Sequence, residues 1–135
     1  MIQVIYGEKG SGKTQQIVSL ANSAAETAKG IVVYVDRSSN RMHDLARGVR
    51  LVDASHYGLT SQNDILSFIK GKLAANFDIE QVFIDGISRL LDCNVAELDV
   101  LYSGLEQISK EHNVKFVITA SSAKEELPPF IAKYL

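Results

Sequence analysis

With 135 residues, 46% of them hydrophobic and 22% charged, the chain has an ordinary globular balance, enough to bury one sheet among helices, and leaves no length for a second domain. A formal net charge of −2 excludes a global pull toward nucleic acid or an anionic membrane, though not a local basic patch. The single cysteine, Cys93, excludes an internal disulfide, and no apolar run approaches the roughly 20 residues of a membrane span.

The run Ile2 to Tyr6 is β-branched and apolar without strong alternation, as in a strand buried on both faces. Because this strand starts beside Met1, no leader peptide is expected, and a cytoplasmic protein is the expected reading. A helical pattern covers Lys13 to about Ala28, with Ile17, Val18, Leu20, Ala21, Ala24 and Ala25 on its apolar side and Gly30 as a stop signal. Ile31 to Val35 reads as a second strand, Arg41 to Arg47 as a short helix ending at Gly48, and Arg50 to Asp53 as a third strand. Ser61 and Asp64 stand at capping-box spacing, with Asp in place of Glu, and open a helix with the stripe Ile65, Leu66, Phe68, Ile69 and Leu73.

Gln81 to Asp85 is a fourth strand. A helix is predicted from about Val95 to Glu111 with Leu98, Leu101, Tyr102, Leu105 and Ile108 inward, and Val114 to Thr119 is a fifth strand. The end, Ala123 to Leu135 with Pro128-Pro129, reads as a loop and a short docked or frayed tail. Alternating strands and helices predict right-handed βαβ crossovers and a parallel sheet, hence an α/β fold.

One stretch carries chemistry on its face. Gly7-Glu8-Lys9-Gly10-Ser11-Gly12-Lys13-Thr14 matches G-x-x-x-x-G-K-[ST] at every fixed position, after a strand and opening a helix. Gly7, Gly10 and Gly12 permit backbone angles and close approach that a Cβ would block. The successive N–H groups of such a loop form an anion nest. Lys13 supplies a point charge to β- and γ-phosphates, Thr14 offers its hydroxyl to Mg²⁺, and the helix adds its positive end. The bland alternative is a glycine-rich turn that matches by chance. Downstream, Val82-Phe83-Ile84-Asp85 is an apolar strand ending in an acid, suited to holding Mg²⁺ through water. Against this, many strands end in Asp before Gly for turn reasons, and Gly86 leaves no adjacent second carboxylate.

With these motifs in this order, the chain resembles the RecA-like P-loop ATPase core over about residues 2 to 122, and is similar to short stand-alone ATP-binding proteins of Gram-positive bacteria. The resemblance implies a three-layer αβα fold with a five-stranded parallel sheet, in which the strand Val114 to Ser121 lies between the phosphate-loop strand and the Asp85 strand. It implies ATP and Mg²⁺ as ligands at the carboxyl ends of the strands. Lys13 and Asp85 become candidate catalytic residues, and Thr14 and Asp85 the metal side. Thr119, Ser121 and Ser122 fall where the family carries a polar sensor.

The chain departs from the family at the water-activating Glu. Val35-Asp36-Arg37-Ser38-Ser39 follows the second strand, and Ser38 stands where the Glu is expected. Asp36 is the nearest carboxylate and Glu8 a second candidate. Turnover that is slow, or completed by a protein partner or second copy, is the consequence. The phosphate-loop strand is expected at the sheet edge, which invites pairing with another chain or coverage by the tail.

The remaining features have bland readings. Arg37, Arg41, Arg47 and Arg50 share one window with Asp36, Asp44 and Asp53, which suits a solvated face better than an anion site or an arginine reaching a neighbouring subunit. Arg89, just after the Asp85 strand, tilts slightly toward function. His43, His56 and His112 lack metal-ligand spacing. Cys93 reads as a small, partly buried residue, and Phe130, Tyr134 and Leu135 as packing on the sheet edge rather than on an adenine. Three functions stay open: an ATPase or ATP-dependent switch, a module that holds nucleotide without turnover, and a small-molecule kinase, for which no lid or acceptor domain is evident. Absence of N-K-x-D argues against guanine.

Overall fold

In a computed structural model describing residues 1–121 and 127–135, the β-branched runs form the strands β1 (Ile2–Gly7), β2 (Ile31–Asp36), β3 (Val49–Asp53), β4 (Ile79–Ile84) and β5 (Lys115–Ser121). They make one sheet in the order β1-β5-β4-β2-β3, every pairing parallel. β5 therefore separates β1 from β4, the order that the resemblance implies. All the carboxyl ends point one way, so the turns after β1, β2, β4 and β5 meet along one rim.

Helices cover both faces. On one face lies α1 (Lys13–Thr27), with Ile17 and Ala21 packed on Tyr34, Val32, Phe83 and Val117. On the other, α2 (Gln62–Ala75) and α4 (Asp99–His112) bury Ile65, Ile69, Leu101, Leu105 and Ile108 against Val33, Val82, Phe116 and Ile118. Each such aliphatic side chain contributes about 1.5–3 kcal/mol of transfer free energy. The result is the expected three-layer αβα sandwich. The capping box of α2 forms as its spacing predicts: Ser61 Oγ accepts from Asp64 N, and the Asp64 carboxylate accepts from Ser61 N.

Four local readings change. Arg41 to Arg47 is a series of turns rather than a helix. Asn22 on α1 takes the hydrogen bonds that a helix would need: its Nδ2 donates to the Asp44 carbonyl and its Oδ1 accepts from Ala46 N. Gly30 does not end α1, whose cap is the extended Ala28. A Cβ on Gly30 would strike the Asp78 carbonyl oxygen, the acceptor for Ile31 N. The predicted helix from Val95 is a 3₁₀ turn, Val95–Glu97, followed by α4. α4 lacks a cap of its own at Leu98; Gln62 of α2 supplies one, accepting from Leu101 N at 2.7 Å. An unpredicted short helix, α3 (Ile87–Leu91), follows β4.

The tail docks. α5 (Pro129–Ala132) buries Ile131 completely, and Tyr102 stacks on Tyr134 and lies against Phe130. Val4 N donates to the Tyr134 carbonyl at 3.0 Å, so the outer edge of β1 is covered by the chain's own tail. Leu135 stays exposed, departing from its expected packing. The readings for Ser122 and for the loop from Ala123 lie outside the described residues.

Candidate functional site

The loop between β1 and α1 is built by its glycines. Gly10 and Gly12 have φ of +82° and +88°, where an L side chain is strained. A Cβ on Gly7 would run into Ser11 Oγ. Gly12 is the N-cap of α1, with no side-chain cap among the described residues and no acid in the first turn. α2, by contrast, closes its N-terminus with Ser61 and Asp64. The positive end of α1 thus has no side-chain cap among the described residues, an arrangement that can accept an anion. Lys13 folds over the loop, its Nζ donating to the Glu8 carbonyl at 2.7 Å. Burial of its ammonium, and secondarily the charge of Arg89, lower its pKa against the pull of Asp85. An anion that takes over this ammonium relieves both effects.

Asp85 closes the other side. It follows β4 and is nearly buried, and its carboxylate accepts from three hydroxyl donors. Thr14 Oγ1 donates to Oδ2 at 2.9 Å, Tyr34 Oη to the same oxygen at 3.2 Å, and Thr119 Oγ1 to Oδ1 at 2.7 Å. Thr119 Oγ1 in turn accepts from Gly86 N. One carboxylate thereby ties α1, β2, β4 and β5 together, and its two oxygens are held in one orientation. Burial, then the charges of Asp85 and Asp36, push the Tyr34 hydroxyl far above its ordinary pKa. It remains a neutral donor at any working pH.

A cleft of about 400 Å³ lies over this arrangement, lined by Lys9, Gly10, Gly12, Lys13, Thr14 and Asp85 among others. Asp36 is 8% exposed at the end of β2 and lines a smaller adjoining space with Thr14, Asp85, Arg41 and Arg89. Its Oδ1 accepts from Arg37 N at 2.7 Å. Burial raises its pKa, opposed by that N–H and reinforced by Asp85, so its carboxylate takes a proton more readily than an ordinary Asp.

The structure thus brings Lys13, Thr14, Asp85 and Asp36 to one rim. It does not bring in the Glu8 carboxylate: Glu8 is exposed and engages Lys13 only through its carbonyl. Arg41 pairs with Asp44 at 3.3 Å on the surface, the solvated reading, although it also lines the smaller space. Burial, Glu97 and Asp92 push the Cys93 thiol above its ordinary pKa, consistent with an inert cysteine. Tyr34 was not legible as a site residue, because it sits inside a strand of valines; the one signal was a hydroxyl in a fully buried run, which needs a partner.

The donor set fits Mg²⁺ held with a nucleotide rather than alone. Among the described residues no group of three His, Cys, Asp or Glu could hold a metal. One hydroxyl and one carboxylate beside an anion nest is the set that completes a Mg²⁺ shell with phosphate oxygens and water. Nor, among the described residues, is any helix long and apolar enough to cross a membrane.

Sheet order, layers and loop position together define an α/β fold of the P-loop NTPase kind. Among solved structures it is similar to the flagellar accessory protein FlaH from Methanocaldococcus jannaschii, with a TM-score of 0.60 over 98% of this chain and 16% sequence identity. At that identity the likeness is one of fold, and it fits the RecA-like arrangement. This chain spans 65% of the length of FlaH. No family model matches the sequence, and no curated protein matches it.

Proposed function

We propose that the chain binds Mg-ATP and acts as a minimal RecA-like ATPase or ATP-dependent switch, with hydrolysis that is slow unless a partner assists. The observation that supports this best is the meeting of Lys13, Thr14 and Asp85 at the uncapped end of α1. Lys13 leaves the Glu8 carbonyl for the β- and γ-phosphates, and the loop N–H groups cradle them. Thr14, its proton on Asp85, would hold Mg²⁺ through its hydroxyl oxygen, and the metal would supply neutralisation of phosphate charge. Asp36, facing the adjoining space, takes the proton from water as the water oxygen bonds to the γ-phosphorus and the bridging P–O bond breaks.

A nucleotide-holding module is the second reading, favoured by two observations: Ser38 stands where the Glu is expected, and one oxygen of Asp36, the nearest carboxylate, already accepts from Arg37 N. Nucleotide titration beside a phosphate-release assay separates the two. Native chain should bind Mg-ATP saturably, Lys13→Ala should lose binding, and Asp36→Asn should bind but release no phosphate. Binding without release under any condition would leave the holding module. Failure of the native chain to bind any nucleoside triphosphate would sink both.

A further inference from the structure

The element after β4 places a cation in the cleft that neither the loop nor its motif supplies. Gly86, at φ +75°, turns the chain out of β4 directly after Asp85, and α3 runs from there across the rim. Arg89 sits on this helix and lines the main cleft together with Lys13. It also lines the smaller space of about 120 Å³ beyond Thr14 and Asp85, the one that Asp36 faces. Among the described residues Arg89 makes no ion pair; Arg37 and Arg41 also line that smaller space, but Arg41 is held by Asp44, and of the three arginines Arg89 is the one that lines the main cleft as well. Among the described residues, Asp85 is the one carboxylate that lines the main cleft, and it accepts from the hydroxyls of Thr14, Tyr34 and Thr119.

Among the described residues, Lys9, Lys13 and Arg89 thus share a cleft with one carboxylate, Asp85. Three like charges facing a single carboxylate repel one another, and an anion that reaches all of them relieves the repulsion. Lys13 belongs to the loop and reaches the β- and γ-phosphates. Arg89 lines the main cleft, the space that Asp36 lines, and a third space with Asp92 and Glu97; a triphosphate held by the loop with its terminal phosphate toward Asp36 would meet it.

Resting on the ATP reading above, we propose that Arg89 is a same-chain cation for the terminal phosphate. It would distinguish a nucleoside triphosphate from a diphosphate and stabilise the charge that develops as the γ-phosphoryl leaves. The guanidinium fork suits two phosphate oxygens at once. An arginine supplied by the chain itself makes turnover per chain independent of a second subunit.

The test uses the full chain as native, Arg89→Ala and Arg89→Lys, with Mg²⁺ present throughout. Arg89 is exposed, so the variants should keep the native melting temperature. Loss of one charge-assisted contact should weaken ATP binding by about 10- to 100-fold and leave ADP binding within roughly threefold. Arg89→Lys should recover part of the ATP affinity. Phosphate release per native chain should stay constant on dilution.

Equal losses for ATP and ADP, or none for either, would overturn the assignment while leaving the ATP reading intact. So would specific activity that falls on dilution and returns when a Lys13→Ala copy, still carrying Arg89, is added. A native chain that binds no triphosphate would overturn the ATP reading itself and this inference with it.

Discussion

Replacing Tyr34 by Phe removes a single oxygen from a fully buried position and leaves the ring where it packs against α1. The lost contact is the hydrogen bond to Asp85 Oδ2 at 3.2 Å. Hydrogen bonds to charged acceptors contribute about 1.5–3 kcal/mol. This one is long for an O–H···O contact, and the same oxygen keeps Thr14 at 2.9 Å. The expected cost is therefore at the low end, about 1–1.5 kcal/mol, or a fall in melting temperature of roughly 3–7 °C for a chain of this size. Asp85 also loses the β2 restraint on its orientation. Outer restraints on metal-side groups are worth about tenfold in affinity, so the Mg²⁺ concentration needed for half-maximal ATP binding should rise by about that factor. Nucleotide binding without Mg²⁺ should not change. Thermal denaturation and a Mg²⁺ titration with a fluorescent ATP analogue measure the two effects. A Phe variant as stable as native, with an unchanged Mg²⁺ requirement, would refute the view that the Tyr34 hydroxyl orients Asp85.

Three further outcomes follow from the same structure. Burial lifts the Asp36 pKa above its unfolded value, so the native state binds more protons than the unfolded state between the two values, and stability falls as pH rises through that window. Asp36→Asn keeps the acceptor for Arg37 N and removes this cost. The variant should melt higher than native at pH 7–8, the gain shrinking as pH falls toward the ordinary carboxylate value of about 4. An absent or inverted gain in a pH series of melting curves would count against a carboxylate whose burial outweighs its partners. Gly30→Ala places a methyl on the Asp78 carbonyl and should cost about 1–3 kcal/mol by urea denaturation; a neutral effect would mean that the turn relaxes freely. Removing residues 129–135 uncovers the edge of β1 at Val4 and deletes buried Ile131. Light scattering should then show concentration-dependent association, and an unassociated, equally stable product would deny the tail its covering role.

Some of this arrangement was legible because its causes are local. The capping box at Ser61 and Asp64 needs only residues three apart, and it forms as spaced. β2 was visible as an unbroken apolar run, since both faces of the sheet are buried, and β4 through Val82 to Ile84, its start at Ile79 being hidden by Glu80 and Gln81. The helix read over Arg41 to Arg47 failed because its backbone partners lie on Asn22, some twenty residues earlier. The start of α4 was misplaced for the same reason: its cap is Gln62, from α2. Gly30 was read as a helix stop, whereas the carbonyl that demands a glycine there belongs to Asp78.

By itself the sequence determined the loop from Gly7 to Thr14, the strand ending in Asp85 and the α/β alternation, because glycine conformation, helix opening and side-chain period are set within a few residues. Only the tertiary structure decided what those parts meet. Parallel order sends β1, β2, β4 and β5 to one rim, and there Thr14 and Tyr34 reach Asp85 across 71 and 51 residues of chain, while α3 turns Arg89 into the same cleft. A contact between distant residues is a property of strand order and register, and neither is written in any one segment.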